Sequence, residues 1–328
     1  MKIFITGATG MLGSHIAKAL SDRGHTVNVL VRSKEKAENL TFPNINIFEG
    51  DITDKQSIDA AMKGCRQVYH LAAFAGVWAP DTGTFYDVNV GGTTNVLQSA
   101  LENNIEKVVI TSTAGNLGPS IHGIITEDKV RDTDILNEYE GSKIMADSRA
   151  REFIARHNMN IVFVLPTRVY GPYLLGNHAA VTLVIDKFVN HGWRIYPGRG
   201  NETGNFVYID DVTQGHLLAM EKGIKGESYI IGGENATSIT FFELLGELSG
   251  IKRKMIRIPI WLQMLFARTQ LFLANNFNRK PLITPGWIKK GTYDYEISSD
   301  KAVNALGYSV TPLKDGLSKT VEYLKTRK

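Results

Sequence analysis

The stretch Lys2-Ile3-Phe4-Ile5-Thr6-Gly7-Ala8-Thr9-Gly10-Met11-Leu12-Gly13 opens the chain and decides its fold. Its apolar beginning predicts a buried β-strand, and apolar residues at helical spacing predict a helix directly after the turn. Gly7 lets the chain reverse, Gly10 lets a diphosphate approach backbone N–H groups, and Gly13 lets the helix lie close to the strand. The N-terminus of that helix is a site for an anion. A glycine-rich turn without a ligand is the alternative, which the flanking strand and helix disfavour.

The bulk composition is that of an ordinary globular protein, with 328 residues, 43% hydrophobic and 21% charged. This length is enough for one two-lobed unit or two small domains. The single cysteine, Cys65, excludes an internal disulfide and fits a reducing compartment. Because Met1 is followed at once by the first strand, we expect no signal peptide and a cytoplasmic location.

The net charge of +4 is unevenly distributed along the chain. Residues 250–291 contain nine Lys or Arg and no acid, which leaves 28 basic and 33 acidic residues elsewhere. No mixed aromatic and basic pattern and no groove-reading helix is present, so we expect no nucleic-acid partner. The basic character is therefore a local property of one segment.

The second predicted strand, Thr26–Val31, ends in a basic cluster. Arg32, Ser33, Lys34 and Lys36 stand where an adenosine ribose would lie in a dinucleotide-binding fold. A guanidinium and a hydroxyl suit a 2′-phosphate, whereas a free 2′-hydroxyl usually meets a carboxylate. The cluster favours NADP over NAD, and an exposed basic loop is the alternative.

The next two predicted strands end in small or polar residues that could contact the same cofactor. Ile45–Phe48 leads to Asp51 and Ile52, which could bind and pack on an adenine, although Gly-Asp also forms ordinary turns. Gln67–His70 leads to Leu71-Ala72-Ala73, whose small side chains would let ribose and phosphates pass close by. These strands extend the predicted cofactor site.

The fifth predicted strand, Lys107–Thr111, carries hydroxyls at its tip. Thr111 and Thr113 lie where ligands bind in open α/β sheets. Tyr139 and Lys143 follow at i and i+4 on one face of a predicted helix. An ammonium beside a phenol favours phenolate, so we expect the pKa of Tyr139 to be lowered and its proton to be exchangeable near neutral pH.

The βα rhythm loosens after a sixth strand, Ile161–Leu165. We expect the main domain to end near residue 172, and Phe206–Ile209, a helix from Asp211 and the strand Ser228–Ile231 to return to the main sheet. The predicted fold class is therefore α/β, a doubly wound parallel sheet with a smaller, discontinuous lobe. The predicted boundaries are 1–172 plus about 204–234 for the cofactor domain, and about 173–203 plus 235–328 for the lobe.

At this point the chain resembles the extended short-chain dehydrogenase/reductase family, which includes the NAD-dependent epimerases and dehydratases. The resemblance is carried by the glycine turn, His70-Leu71-Ala72-Ala73, Asn89-Val90-Gly91-Gly92-Thr93, Tyr139 with Lys143, and Val207-Tyr208-Ile209-Asp210-Asp211. Pro166-Thr167-Arg168-Val169-Tyr170-Gly171-Pro172 is similar to the dihydroflavonol-reductase-like and 3β-hydroxysteroid-dehydrogenase-like branch. The resemblance implies a Rossmann-type domain with a C-terminal substrate-binding lobe.

The resemblance also implies roles for individual residues. Thr113 takes the catalytic Ser/Thr position, Tyr139 is the acid/base and Lys143 holds the nicotinamide ribose. No metal is expected. The implied NADP-binding residues are Gly7, Thr9, Gly10, Met11, Leu12, Gly13, Arg32, Ser33, Lys36, Asp51, Ile52, Leu71, Ala72, Ala73, Thr111, Tyr139, Lys143, Pro166, Thr167 and Val169.

Two functions and one silent alternative fit these residues. The first is an NADPH-dependent reductase of a ketone or aldehyde, with Phe74, Trp78 and Tyr170 either lining an apolar substrate pocket or packing as ordinary aromatics. The second is a nucleotide-sugar epimerase with tightly bound NAD. Gly204-Asn205 disfavours it, because the nucleotide-sugar branch usually places Arg-Asp there. The third is an NADP-binding sensor or scaffold without catalysis.

Two further expectations concern surfaces. The helices predicted at Thr84–Asn103 and Glu138–His157 should lie side by side and form a homodimer, as the resemblance implies; a monomer is the alternative. Ile251–Lys290 is too short in uninterrupted apolar sequence to span a bilayer. It is predicted to be a buried helix of the substrate lobe, or else a lipophilic lid that contacts a greasy substrate and an anionic membrane surface.

Overall fold

The computed structural model describes residues 1–175 and 179–327. Its strands are β1 (Lys2–Thr6), β2 (Thr26–Val31), β3 (Ile45–Glu49), β4 (Gln67–His70), β5 (Lys107–Thr111), β6 (Ile161–Pro166), β7 (Arg168–Tyr170), β8 (Thr203–Tyr208), β9 (Ser228–Ile231) and β10 (Glu234–Thr237).

The helices alternate with the strands through the first half of the chain and cluster in the second. They are α1 (Met11–Asp22), α2 (Lys55–Met62), α3 (Gly83–Tyr86), α4 (Gly92–Glu102), α5 (Glu138–His157), α6 (Ala180–Asn190), α7 (Ile209–Lys222), α8 (Ser238–Ser249), α9 (Ile260–Phe277), α10 (Pro285–Lys290), α11 (Asp300–Leu306) and α12 (Leu313–Lys325).

The main sheet is parallel, with the strand order β3-β2-β1-β4-β5-β6-β9. Alternate side chains of β1 enter opposite cores: Ile3 and Ile5 pack with α1 and α7, whereas Phe4 packs with α2 and α4. The strand order reverses between β1 and β4, and a ligand crevice forms at such a switch point, beyond the carboxyl ends of the strands. The predicted doubly wound α/β class is confirmed.

The second lobe has its own small sheet, β10-β8-β7. We expected Phe206–Ile209 to return to the main sheet, and this was wrong: that segment is β8, which pairs in parallel with β7 and antiparallel with β10. Only β9 joins the main sheet, beside β6. The predicted domain boundaries stay predictions.

The two long predicted helices are side by side on one face of the sheet. The first, predicted at Thr84–Asn103, is α3 and α4 joined by a π-helical turn over Asp87–Gly91. Its polar side chains reach α5, since the Asn89 amide donates to Ser142 Oγ at 2.8 Å. The π turn aims Asn89 at both α5 and the loop after β4, where its Oδ1 accepts from Phe74 N.

The helix α9 is not the buried helix that we predicted. Only Ala267 and Ala274 are buried, whereas Trp261, Phe272 and Phe277 are 60–67% exposed. Among the described residues, no helix is long and apolar enough to cross a membrane. The apolar pattern of α9 therefore faces solvent rather than a core.

Candidate active site

The glycine turn between β1 and α1 has the predicted geometry. Gly7 has a φ of +79°, which favours glycine, and a Cβ at Gly13 would overlap the Gly7 carbonyl oxygen. Gly10 is the N-cap of α1, and no side chain caps this end of the helix. The first-turn N–H groups are thus available to an anion, and a Cβ-free cradle fits the diphosphate of a dinucleotide.

A buried hydrogen-bond chain fixes the strand tips beside this turn. His70 Nδ1 lies 2.8 Å from Thr6 Oγ1, and His70 Nε2 lies 2.9 Å from Thr93 Oγ1. Thr6 Oγ1 in turn accepts from Ala72 N at 3.1 Å. Burial lowers the pKa of His70 to about 3, so the imidazole is neutral and structural. The Thr6 side chain at the end of β1 therefore holds the small residues after β4 in place.

The tip of β2 carries the expected cations, but it also carries one carboxylate, that of Glu35. Arg32 is exposed, but the Ser33 hydroxyl donates to the Glu35 carboxylate. Sequence analysis counted only the cations here and overlooked Glu35, which faces the same position. Lys36 is exposed, in a 3₁₀ turn with Glu35.

The predicted adenine contacts lie after β3. Asp51 Oδ1 accepts from Thr53 N at 2.9 Å and from its hydroxyl, which forms an Asx turn. Ile52 is 7% exposed and packs where a Cβ at Gly92 would collide with it. Both positions have structural roles here, and their contact with adenine stays a prediction.

The catalytic candidates Thr113 and Tyr139 line one cavity of about 450 Å³. Thr113 Oγ1 accepts from Gly115 N at 3.1 Å, which leaves its own proton to donate. Lys143 lies behind them and donates to Thr111 O at 2.8 Å. The Thr111 side chain contacts His216 Nε2 at 2.8 Å instead of the cavity.

The predicted direction of the Tyr139 pKa is wrong in this structure. Burial raises the pKa of Tyr139 to about 12, with Asp147 and Glu140 adding to the increase. Lys143, whose own pKa is lowered by burial, has Asp147 as its counter-charge. The phenol is therefore a protonated donor at neutral pH, which suits the acid role in a reduction.

The residue Asp147 was missed by sequence analysis, although it lies one turn after Lys143 on α5. Its Oδ2 accepts from Ser112 Oγ and from Asn116 Nδ2. Burial raises the pKa of Asp147, and Lys143 lowers it. The Lys-x-x-x-Asp spacing could have revealed this charge pair, because i and i+4 share a helix face.

The far wall of the cavity comes from the second lobe. The ring of Trp287 stacks on Tyr139, with centroids 6.4 Å apart and planes at 25°. Lys290 Nζ lies 2.6 Å from Glu140 Oε1, and Arg131 lies 3.0 Å from Glu140 Oε2. The fully buried Glu140 thus ties α10 to α5, the helix that carries Tyr139.

The residues predicted after β6 fall into two groups: some line the cavity, and others pack in a core. Pro166 and Thr167 line the cavity, as does Arg168, which was not selected. Tyr170 is fully buried in the second-lobe core, with its hydroxyl 3.4 Å from Leu313 O, so its assignment to the pocket was wrong. Val169 packs on the core as well.

The two remaining aromatics lie outside the cavity lining. Phe74 packs edge-on against Phe85 at 4.8 Å, and Trp78 Nε1 donates to Asn275 Oδ1 of α9 at 3.1 Å. The Trp78 hydrogen bond brings the loop after β4 against α9 of the second lobe. Within residues 1–175 and 179–327, no cluster of three metal-ligating side chains occurs.

The comparisons with known proteins agree with this geometry. The sequence profile of the NAD dependent epimerase/dehydratase family matches residues 3–232. A protein of Synechocystis sp. with the provisional name dihydroflavonol 4-reductase is 27% identical over 328 residues, covering 98% of this chain and 94% of that protein. Sterol demethylase protein B of Methylococcus capsulatus is 31% identical over 261 residues, covering 79% and 78% of the two chains.

A solved structure shows the shared fold. UDP-glucose 4-epimerase from Thermotoga maritima, solved with UDP-glucose, has a TM-score of 0.83 at 23% identity and covers 100% of this chain and 99% of its own. The similarity extends over both lobes. With the glycine cradle and the cavity that contains Thr113 and Tyr139, these matches place the chain in the NAD-dependent epimerase/dehydratase family, as an NAD(P)-dependent oxidoreductase of the extended short-chain dehydrogenase/reductase type.

Proposed function

We propose that the protein is an NADPH-dependent reductase of a ketone or aldehyde with an apolar body. The observation that carries this proposal is the shared cavity in which a protonated Tyr139 and the free proton of Thr113 face one volume. Apolar groups form much of the remaining wall, among them Val181, Trp287 and Ile297, and Arg168, Glu202 and Lys290 add charges to it.

The reaction needs two donors to the substrate oxygen. NADPH, when bound, supplies the hydride to the carbonyl carbon. Thr113 donates a hydrogen bond to the carbonyl oxygen, and Tyr139 donates a hydrogen bond and then its proton. Lys143 would hold the nicotinamide ribose from its anchor on Thr111 O, and the N-terminus of α1 would hold the diphosphate.

The preference for NADPH rests on Arg32 and Lys36, with Glu35 acting against it. A carboxylate in this position repels a 2′-phosphate and occupies the Ser33 hydroxyl. We expect Arg32→Asp to weaken NADPH binding and to erase or reverse the preference, and the matched Glu35→Gln to tighten NADPH binding. Titration of both cofactors checks this; a wild type that favours NADH, with no effect of either variant, contradicts it.

The proposed activity is tested by NADPH consumption across a panel of ketones and aldehydes. The alternative, an epimerase, is supported by the family and predicts tightly bound NAD after purification and protection against unfolding by UDP-sugars. The sensor alternative needs cofactor binding only, and the retained Thr113, Tyr139 and Lys143 argue against it. Turnover with NADPH excludes the sensor, and absence of turnover together with bound NAD supports the epimerase.

We also propose that α9 lies on an anionic membrane surface. Exposed Trp261, Leu265 and Phe272 share one side of the helix. The surrounding segment 250–291 is basic without any acid, which fits anionic lipid and would repel a second copy of itself. Anionic vesicles should retain the protein at low salt and release it at high salt, and Phe272→Glu should release it more than the control Val130→Glu. Equal binding by both variants contradicts the proposal.

The homodimer stays a separate proposal, supported by the packing of α3 and α4 on α5. The Tyr86 hydroxyl donates to Glu138 at 2.8 Å, so the two helices present one continuous surface. A second copy could pair with this surface as a four-helix contact. Light scattering at micromolar concentration should give twice the mass of one chain, and a single-chain mass contradicts the proposal.

A further inference from the structure

The side chain of Arg168 lies in a space that Gly204 leaves open. Arg168 is the first residue of β7, and its guanidinium crosses the neighbouring strand β8. A Cβ at Gly204 would collide with this guanidinium, and the Arg168 Cζ lies 5.5 Å from the centre of the Phe206 ring. Sequence analysis took Gly204-Asn205 as the loss of a cation; the structure supplies a cation there from the adjacent strand.

This guanidinium forms no salt bridge in the described ranges, 1–175 and 179–327; burial lowers the pKa of Arg168, and the nearby Tyr295 and Glu202 partly offset this. No carboxylate lies within 4.0 Å of it, and it donates no hydrogen bond. Glu202, on the same cavity wall, uses its carboxylate to accept from Arg199 N and Gly200 N. The guanidinium N–H donors, which bond to no other side chain or carbonyl, line the cavity, where a bound anion could accept from them.

A second cation, Lys290, lies beside the Thr113 hydroxyl in the same cavity. A Cβ placed on Gly115 would be 2.9 Å from Lys290 Nζ and 3.4 Å from Thr113 Oγ1, so the ammonium and the hydroxyl face one small volume. Burial lowers the pKa of Lys290, and the charges of Arg168 and Arg131 lower it further. The ammonium of Lys290 is thus close enough to both guanidinium groups to be repelled by them.

The charges around the cavity do not balance. Three cations, Arg131, Arg168 and Lys290, stand against two carboxylates, Glu140 and Glu202, and Glu140 is already shared by two of the cations. An additional negative charge beside Arg168 would relieve the repulsion and fill the guanidinium fork. The cavity is large enough, at about 450 Å³, for a small carbonyl compound that carries such a group.

We propose that the substrate carries an oxyanion, a carboxylate or a phosphate, near its reacting carbonyl group, and that Arg168 binds this oxyanion while Thr113 and Tyr139 bind the carbonyl oxygen. The proposal rests on the proposed reductase activity. It makes Arg168 a specificity-determining residue, and Gly204 the position that gives it room.

Matched substrates test the proposal. One arm compares 4-oxopentanoate with its methyl ester, and the other compares dihydroxyacetone phosphate with dihydroxyacetone. The wild type should prefer the anion of one pair by about 10- to 100-fold in kcat/KM, which is the range expected for a charge-assisted hydrogen bond. The arm that shows the preference identifies carboxylate or phosphate as the group.

Variants assign the preference to Arg168. Arg168→Met should abolish this preference for the anionic substrate, whereas Arg168→Lys should retain part of it. Gly204→Ala, which fills the space of the guanidinium, should act like Arg168→Met and keeps the test valid if the latter folds poorly. A wild type without preference, or variants that retain it in full, would overturn the proposal.

A binding readout separates this proposal from the reductase activity. In the presence of NADP, glutarate or inorganic phosphate should raise the melting temperature of the wild type but not of Arg168→Met. Reduction of neutral carbonyls without anion protection overturns the oxyanion site and leaves the reductase intact. Protection that depends on Arg168 without any carbonyl reduction supports the oxyanion site and counts against the reductase.

Discussion

The two walls of the cleft are built in different ways. The cofactor wall is made of contiguous motifs, in which a strand and its following turn supply both shape and donors, as at Gly7, Gly10 and Gly13. The opposite wall is assembled from α10 and the second sheet, with Trp287 and Lys290 meeting Tyr139 and Glu140 from about 150 residues away in sequence. Short motifs are therefore enough to predict the proposed cofactor wall, whereas long-range packing builds the opposite wall.

The largest effect is expected from Lys143→Ala, because it removes a group that serves both walls. It removes the proposed ribose ligand and leaves the buried Asp147 without its counter-charge. We expect a loss of about 10³-fold or more in kcat/KM and weaker NADPH binding. The control is Lys107→Ala, which removes a buried lysine that donates to Gly223 O and does not line the cavity. Equal losses in both variants would mean that only stability had changed.

Acidification should weaken the cofactor wall through His70. The folded-state pKa of about 3 lies below the ordinary value of 6.5, so the unfolded chain binds the proton more readily. The stabilisation is fully present above pH 6.5 and is lost as the pH falls towards 3, with about 3 kcal/mol lost by pH 4. Unfolding free energies measured from pH 7 to 4 check this. His70→Gln should flatten the slope, whereas the exposed control His122→Gln should leave it unchanged.

The turn of the cofactor wall is tested by Gly13→Ala. The added Cβ would overlap the Gly7 carbonyl oxygen, so the helix must move away from the strand. We expect about 2 kcal/mol of destabilisation and about tenfold weaker NADPH binding. Gly91→Ala is the control, since its Cβ would lie 4.0 Å from the nearest atom. Unchanged cofactor affinity in Gly13→Ala would separate the turn from phosphate binding.

The smallest effect is expected on the other wall, from Trp287→Leu. Loss of the ring that stacks on Tyr139 should raise KM by about tenfold, with little change in cofactor affinity. The control is Trp261→Leu on the exposed face of α9. A Trp287 variant that loses NADPH binding instead would show that the two walls are not independent.

The sequence was sufficient to predict those parts of the molecule whose structure is set by neighbouring residues in the chain. The strand, turn and helix around Gly7–Gly13 and the i, i+4 pair of Tyr139 and Lys143 could be predicted, because each is set by neighbours in the chain. The placement of β8 in a second sheet could not be, since its partners β7 and β10 are short and not adjacent in a βα unit. The direction of the Tyr139 pKa shift could not be predicted from the i, i+4 spacing either, because burial raises this pKa and the charges of Asp147 and Glu140 add to the increase.

The exposed helix α9 shows the other limit of sequence patterns. Its run of Leu, Phe and Trp has the composition of a core, yet the side chains of Trp261 and Phe272 face solvent. Apolar composition indicates that a surface has a binding partner, but it does not distinguish the protein core from a partner outside the chain. Arg168 illustrates the same point for charge, because its significance depends on a glycine in a neighbouring strand.

The most direct test of the proposed chemistry is a single-turnover measurement of hydride transfer from NADPH in the wild type and in Tyr139→Phe. The variant keeps the ring that stacks on Trp287 and loses only the hydroxyl. We predict that wild type converts one NADPH per site to alcohol product, and that the variant is slower by at least about 10³-fold with its NADPH affinity within a factor of about three. Near-normal hydride transfer in Tyr139→Phe, or a wild type that retains tightly bound NAD and interconverts sugar nucleotides without net consumption of NADPH, would contradict it.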